Sequence, residues 1–323
     1  MGLFGNVDKK DGGTRAGLFI FGGVMQYLEI SRRGDSYRLE KSVDMPYDMG
    51  MSGSTGELYA SQEVIESNLK ALKKNIKKWP ARVYAGIQSK DVLLRTVDLP
   101  QMDLADIKEA FRFEFDRFFP IPVDDAIYDI AFIDRPPNED VPQGSVVNCI
   151  ATALRQSTAE NLMLASQANA LKLGAIEPGP VAMLRCLMGP RPPQGFNIYA
   201  LAGIASSIIV ATYRDNGIVY RNTTQSFAMN DPEGRMVAAF ARDIQSTINF
   251  ATTQIRGFSV DKVYIGGYGV NLGERLSSRV AEAANAPVEL VNPWGLWNVE
   301  GTPREIYGWE TALGLALRPA EVK

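Results

Sequence analysis

The stretch GPRPPQGFNIYALAGIASSIIVATYRDNGIVYRN, residues 189–222, decides the fold. Its opening, Gly189 to Gly195, is dense in proline and glycine and reads as a linker. Phe196 to Leu201, Ser207 to Tyr213 and Ile218 to Asn222 then read as three strands, rich in β-branched and aromatic residues. Asp215-Asn216-Gly217 supplies the turn chemistry of a tight hairpin. The same order stands near the start of the chain. There Leu18 to Ile20, Met25 to Ser31 and Tyr37 to Val43 read as strands, with Arg32-Arg33-Gly34-Asp35 as a polar turn. A strand meander that occurs twice, each time followed by alternating helix and strand, predicts two similar α/β lobes facing a cleft. The expected divisions are a flexible N-terminus over 1–15, a first lobe over 16–188, a linker over 189–195 and a second lobe over 196–323.

Between the two meanders the pattern is helix and strand. A helix is expected from about Glu63 to Trp79, because Ile65, Leu69, Leu72, Ile76 and Trp79 recur at spacings of four and three and so share one face. Lys70, Lys73, Lys74, Lys77 and Lys78 occupy much of the rest; a solvated face is one reading, a surface against anionic lipid the other. Asp103 is placed to cap a helix reaching Phe118, which Pro120 and Pro122 stop. Ala126 to Ile133 and Val146 to Ala153 are expected strands, and Ser157 to Leu173 a helix closed by Gly174. In the second half, a helix from about Glu233 to Gln254 buries Val237, Phe240, Ile244 and Ile248, and the last helix lies near Trp309 to Leu317.

Composition removes whole classes of chemistry. The 323 residues contain no histidine, so a Ser-His-Asp or Cys-His nucleophile and a histidine zinc or haem site are impossible. The two cysteines, Cys149 and Cys186, are far apart; they read as isolated buried thiols, with pairing as the alternative. A formal net charge of −3 gives no basic excess for nucleic acid. No apolar run has the length of a membrane span, and the expectation is a cytoplasmic protein. The start, Met1 to Asn6, reads as a frayed terminus or a short apolar tag.

Several segments then narrow the family. They are Leu99-Pro100-Gln101-Met102, Ala110 to Phe115, Phe119-Pro120-Ile121-Pro122-Val123-Asp124-Asp125 and Tyr128-Asp129, followed by Phe240 to Ser246, Ile265 to Leu272, Asn292-Pro293 and Ala312 to Arg318. In that order and spacing they resemble the PilM family of type IV pilus assembly proteins, which shares the actin-like (ribonuclease H-like) fold with FtsA. The resemblance runs over nearly the whole chain from about Ala16. It implies an inserted subdomain in the first lobe, at about 86–155. It also implies a cytoplasmic scaffold, peripheral at the inner membrane, that holds the cytoplasmic tail of a PilN-like membrane protein. Platform proteins and the assembly ATPase of the same machine are the further partners implied. For the tail, the resemblance points to a groove beside the inserted subdomain; Val92, Leu94, Phe111, Phe115 and Phe118 are the candidate contacts, and core packing is the competing explanation for part of the aromatics.

The departures from the family bear on nucleotide. Actin-like ATPases grip phosphate with two hairpin loops in which glycine admits backbone N–H groups and aspartate organises Mg²⁺ and water. Here the first loop, Phe19-Ile20-Phe21-Gly22-Gly23, has an apolar ring in place of the acid, and Gln26 stands where the family has lysine. The second loop, Leu201 to Ser206, keeps Gly203 without a carboxylate. Only about ten residues join the hairpin ending near Asn222 to the next helix, too few for the family's adenine-side subdomain. Gly22, Gly23, Gln26, Gly203, Gly266, Gly267 and Gly269 are therefore a remnant cofactor site. For the last three, a strand-to-helix turn is the structural reading and a remnant adenosine loop the functional one. No catalytic or metal-binding residue is assigned, and ATP with Mg²⁺ is disfavoured as a cofactor. Glu177 falls where relatives carry a cleft acid, or simply precedes a helix at Pro178. Asp124, Asp125 and Asp129 form a solvated turn or a contact for a basic partner. The rival functions are an active ATPase that switches or polymerises on nucleotide, and a cytoplasmic component of a type II secretion system.

Overall fold

A computed structural model describes residues 13–49, 61–88, 91–134, 146–204, 206–227, 231 and 233–319. The first half consists of β1 (Thr14–Phe21), β2 (Val24–Arg33), β3 (Ser36–Pro46), α1 (Gln62–Ile76) and β4 (Arg82–Ile87). It continues with β5 (Leu93–Pro100), α2 (Leu104–Phe118), β6 (Ala126–Phe132), β7 (Val146–Arg155), α3 (Gln156–Ala168), β8 (Leu173–Pro178) and α4 (Gly179–Met188). The second half consists of β9 (Phe196–Ala202), β10 (Ser207–Tyr213), β11 (Asn216–Thr223), α5 (Arg235–Gln254), β12 (Lys262–Gly267), α6 (Glu274–Ala284) and β13 (Val288–Leu290). It ends with α7 (Pro293–Leu296), β14 (Val299–Glu300) and α8 (Glu310–Ala316).

The internal duplication is visible in the strand order. One sheet runs β14-β3-β2-β1-β4-β8 and another β11-β10-β9-β12-β13. In each, an antiparallel meander is extended by parallel strands from its first member, β4 on β1 and β12 on β9. A third sheet, β5-β7-β6, belongs to an insert between β4 and α3. Among the described residues no element stands between β11 and α5, the stretch expected to be too short for an adenine-side subdomain.

Local signals account for most element ends. Asp103 accepts the Asp106 N–H and caps α2, and Ser61 caps α1 through the Val64 N–H. The helix expected to reach Trp79 stops at Ile76, because Lys77 turns to φ 68°. Trp79 still reaches the core, where its ring meets Tyr27 edge-on and its indole N–H donates to the Asn169 carbonyl. The helix expected over Ser157 to Leu173 closes early, at Ala168, where the chain reverses through Ala170 at φ 54°. Gly174 is not its cap: it lies in β8, and a Cβ there would stand 2.7 Å from the Tyr84 ring. Cys149 and Cys186 are free and buried.

Two expected boundaries change. The strand β1 begins at Thr14, inside the segment expected to be a flexible N-terminus; residues 1–12 lie outside the described residues. The second lobe is not self-contained over 196–323. β14 pairs with β3 of the first sheet, and Trp294, Trp297, Trp309 and the apolar residues of α8 bury against Phe19, Leu28 and Ile30. The C-terminal segment is too apolar to stay in solvent, and its largest open partner is the first sheet rather than the second.

Candidate functional site

The loops between the lobes come first, because the remnant site falls there. Gly22 and Gly23 have φ of 51° and 78°, so the β1–β2 turn does need glycine. Gly203, Gly266 and Gly269 are held by close approach instead, and Gly267 by both, with φ 89°. A Cβ on Gly267 would lie 2.5 Å from the Ala202 carbonyl oxygen, on Gly203 2.1 Å from that of Ser206, on Gly266 2.5 Å from Leu187, and on Gly269 2.5 Å from Ala202. The space left between these loops is about 50 Å³. Its lining includes Phe19, Phe21, Leu201, Ile204 and Ile208, and Phe19 and Phe21 stack at 5.1 Å. No charged residue is found among the described residues that line it. Gln26 is fully buried opposite Asp44 on β3. Burial raises the Asp44 carboxyl, and the nearby Gln26 amide partly offsets this.

One charged group does reach these loops, and sequence reading missed it. Glu310, only 1% exposed, accepts the Gly267 N–H on Oε1 and the Gly308 N–H on Oε2, both at 2.8 Å. Burial pushes its carboxyl above the ordinary range, against the pull of those N–H groups. The signal in the sequence is a lone acid opening the apolar run of α8: a carboxylate there must find buried donors. The chain thus supplies its own anion to a backbone N–H of the Gly266–Gly269 loop. Neither the lining nor the charge fits a Mg-nucleotide.

Glu177 is likewise occupied. Its oxygens accept from the Arg185 guanidinium and, at 2.9 Å, from Arg318 Nη1, while Arg185 Nη1 also donates to the Gly314 carbonyl at 2.8 Å. Burial alone would raise the Glu177 carboxyl, but the two guanidiniums overcome this and hold it below its ordinary value. A carboxylate engaged in this way is a structural anchor rather than a free base.

The large cavity lies elsewhere. About 650 Å³ opens between β8 and α3 of the first lobe and β6 and β7 of the insert. Ile87, Val92, Ile127, Leu154, Met163 and Ile176 make it apolar, and Asp129, Gln167, Lys172 and Glu177 add polar groups to its wall. Ile127 and Met163 remain 42% and 46% exposed. Among the described residues β6 is an edge strand of the insert sheet, so the groove offers an extended peptide an apolar trough beside a sheet edge.

The alternation of the insert strands explains which candidate contacts reach this groove. Tyr128, Ile130, Cys149, Ala151 and Ala153 face α2, while Ile127, Thr152 and Leu154 point the other way into the groove. Phe111 and Phe115, 1% and 0% exposed, therefore belong to the insert core and not to a partner surface. Phe118 stacks on Phe111 in the same layer. Leu94 lines a separate space of about 170 Å³ against Tyr220 and Arg221 of the second lobe. Of the five candidates only Val92 lines the groove, at 4% exposure. Asp129 stands at its wall and Asp124 pairs with Arg112 at the surface.

This geometry has counterparts among solved structures. A chain of a PilM-PilN type IV pilus biogenesis complex aligns with a TM-score of 0.72, at 20% identity, over 95% of this chain and 99% of that one. The chain has an actin-like fold. A Bacteroides thetaiotaomicron protein of actin-like ATPase fold aligns at TM-score 0.52 and 12% identity, over 97% of this chain and 99% of that one. The cytoplasmic domain of EpsL, an inner-membrane component of the Vibrio cholerae type II secretion system, aligns at 0.51 and 9%, over 94% of each chain. No family model and no curated protein sequence matches the chain. Within this actin-like fold, Phe19 and Leu201 stand on the two hairpins that face the cleft from either lobe.

Proposed function

We propose that this chain is a docking scaffold of a type IV pilus assembly complex, cytoplasmic and held at the inner membrane by the tail of a PilN-like protein. The observation that carries the reading is the apolar groove of about 650 Å³ between the first lobe and the insert, bordered by the edge strand β6. Likeness to the chain of a PilM-PilN complex supports the choice of partner. An apolar tail segment laid along β6 would pair its backbone with this edge, displacing Asp129 from the Ile130 N–H, and bury alternate side chains against Ile127, Leu154 and Met163. Platform proteins and the assembly ATPase would then gather on the remaining surface.

The protein is a pseudo-ATPase in this reading. Two charge-assisted phosphate contacts are replaced by Phe19 and Leu201, at about 1.5–3 kcal/mol each, which weakens nucleotide by about 10²–10⁴-fold. Glu310 already occupies the Gly267 N–H of the loop that would meet the nucleotide. The test is fluorescence polarisation of a labelled PilN-like tail peptide with the full chain, alongside calorimetry with MgATP. Saturable peptide binding that Met163→Asp and Ile127→Asp abolish supports the scaffold. Binding of MgATP tighter than roughly micromolar would overturn the pseudo-ATPase. A second reading, a cytoplasmic component of a type II secretion system, is favoured by the EpsL likeness; capture of a secretion-system membrane protein in place of a PilN-like tail would select it.

A further inference from the structure

The lysine-rich surface of α1 is not used by the groove or by the cleft. From Lys70 onward the exposed side chains of this helix and its end are Lys70, Lys74, Asn75, Lys77 and Lys78, with Lys73 half-buried. The two acids of α1, Glu63 and Glu66, sit in its first turns. Cations complement the negative end of a helix dipole, but that effect fades within the last turn. Lys70 has Glu66 one turn before it, but it also stands one turn from both Lys73 and Lys74, where like charges repel. The chain as a whole is acidic, with a formal net charge of −3, so the concentration is local.

The neighbouring helix adds exposed apolar side chains, among polar ones that include Glu160 and Gln167. α3 packs beside α1, and Met163 and Leu164 on it are 46% and 47% exposed. Lys73 Nζ and the Trp79 indole N–H both donate to the Asn169 carbonyl, which ties the end of α1 to the turn after α3. That turn leads into Lys172, a further exposed cation. Basic side chains beside exposed apolar ones form a surface of the kind that rests on lipid headgroups.

We infer that the α1–α3 face, through Lys70, Lys74, Lys77, Lys78 and Lys172, rests on an anionic bilayer surface. Compact, well-hydrated ammonium groups suit a mobile field of phosphates better than a single fixed partner. Lys172 is also a wall residue of the groove, so this contact sets the groove mouth beside the membrane. The inference goes beyond tail docking and does not depend on it, since lipid alone is the ligand.

The experiment is flotation of the full chain with vesicles of phosphatidylglycerol and phosphatidylcholine, against vesicles of phosphatidylcholine alone. Binding is expected to the anionic vesicles only and to fall as salt rises. Replacing Lys70, Lys74, Lys77 and Lys78 together by Glu should lower partitioning by about 10²-fold or more. The same four positions changed to Arg should leave it within about threefold, because the charge is kept. Equal far-ultraviolet circular dichroism of the variants secures the fold. Absence of binding to anionic vesicles at low salt, or binding that the Glu variant retains, would overturn the inference. Selective capture of an acidic polypeptide such as polyglutamate, with vesicles ignored, would overturn it too.

Discussion

Glu310→Ala tests the reading of the cleft most directly. In the wild type the carboxylate satisfies two backbone N–H groups, Gly267 and Gly308, each at 2.8 Å. Charge-assisted bonds of this kind contribute about 1.5–3 kcal/mol each, and burying the carboxylate returns part of that. The net loss expected for the alanine variant is about 2–4 kcal/mol, because the buried Gly267 N–H is left without an acceptor. Glu310→Gln keeps one acceptor oxygen but turns an N–H₂ toward the second donor, so about half that loss follows. Urea unfolding at neutral pH, followed by tryptophan fluorescence, measures both. Trp309, adjacent to the substituted position and 4% exposed, is a local reporter. Calorimetry on the alanine variant provides the second arm. With Phe19 and Leu201 still in place, removing the anion should leave MgATP affinity weaker than roughly micromolar. An unchanged urea midpoint would show that the two N–H bonds carry no stability. Micromolar MgATP binding would show that Glu310 alone had kept the site shut, and the case built on the apolar hairpins would fail.

Other perturbations have outcomes fixed by the same geometry. Gly314→Ala places a Cβ 1.8 Å from the Ala182 carbonyl oxygen on a facing helix, so a loss of about 3 kcal/mol or more, or failure to fold, is expected in guanidinium unfolding. Phe111→Ala should cost about 3–5 kcal/mol and Phe113→Ala no more than about 0.5, since their exposures are 1% and 85%. Glu177→Gln leaves Arg185 and Arg318 facing a neutral amide and should lower stability at neutral pH by about 3–5 kcal/mol. The folded-state carboxyl of Glu177 is held below its ordinary value, so its contribution is present above that ordinary value and fades as pH falls through the lower folded value. The gap between wild type and variant should therefore narrow in urea titrations run from pH 5 toward pH 3.

The duplicated meander was legible because its signals are local: β-branched alternation, turn residues and caps such as Asp103 act within a few positions. Even there the register escaped by a step. The hairpin expected at Asp215-Asn216-Gly217 turns at Arg214 and Asp215, with Tyr213 paired to Asn216, and Gly217 is required because Tyr220 Oη occupies the place of its Cβ. What stayed hidden depends on pairs distant in sequence. Period-two alternation marks two faces of β6 and β7 without saying which one α2 covers, so the aromatics of α2 read equally well as core or contact. Glu310 and Gly267 are linked across the second lobe by one hydrogen bond. The passage of α8 onto the first sheet follows from the burial demand of three tryptophans, which does not name the surface that meets it.

The joint between the lobes is closely packed. α4 packs on the second sheet through Met183, Leu184 and Leu187, and α8 packs on the first sheet beside Phe19. Relative motion of the lobes must therefore shear α4 past α8. At their contact Gly314 has no room for a single methyl group against the Ala182 backbone, and on the other side Gly17 has none against the Ala312 carbonyl oxygen, 2.0 Å from its Cβ position. Arg185 of α4 fastens the crossing by donating to the Gly314 carbonyl and to Glu177. Enzymes that close on a ligand use hinge or shear motions, and shear across packed backbones requires side chains that can slide. Backbone in direct contact, locked by a buried ion pair, resists sliding. The lock also contains Glu177, a wall residue of the groove, so its rigidity extends to the place where a tail would lie. A groove held still in this way binds without the entropy of closing around its ligand.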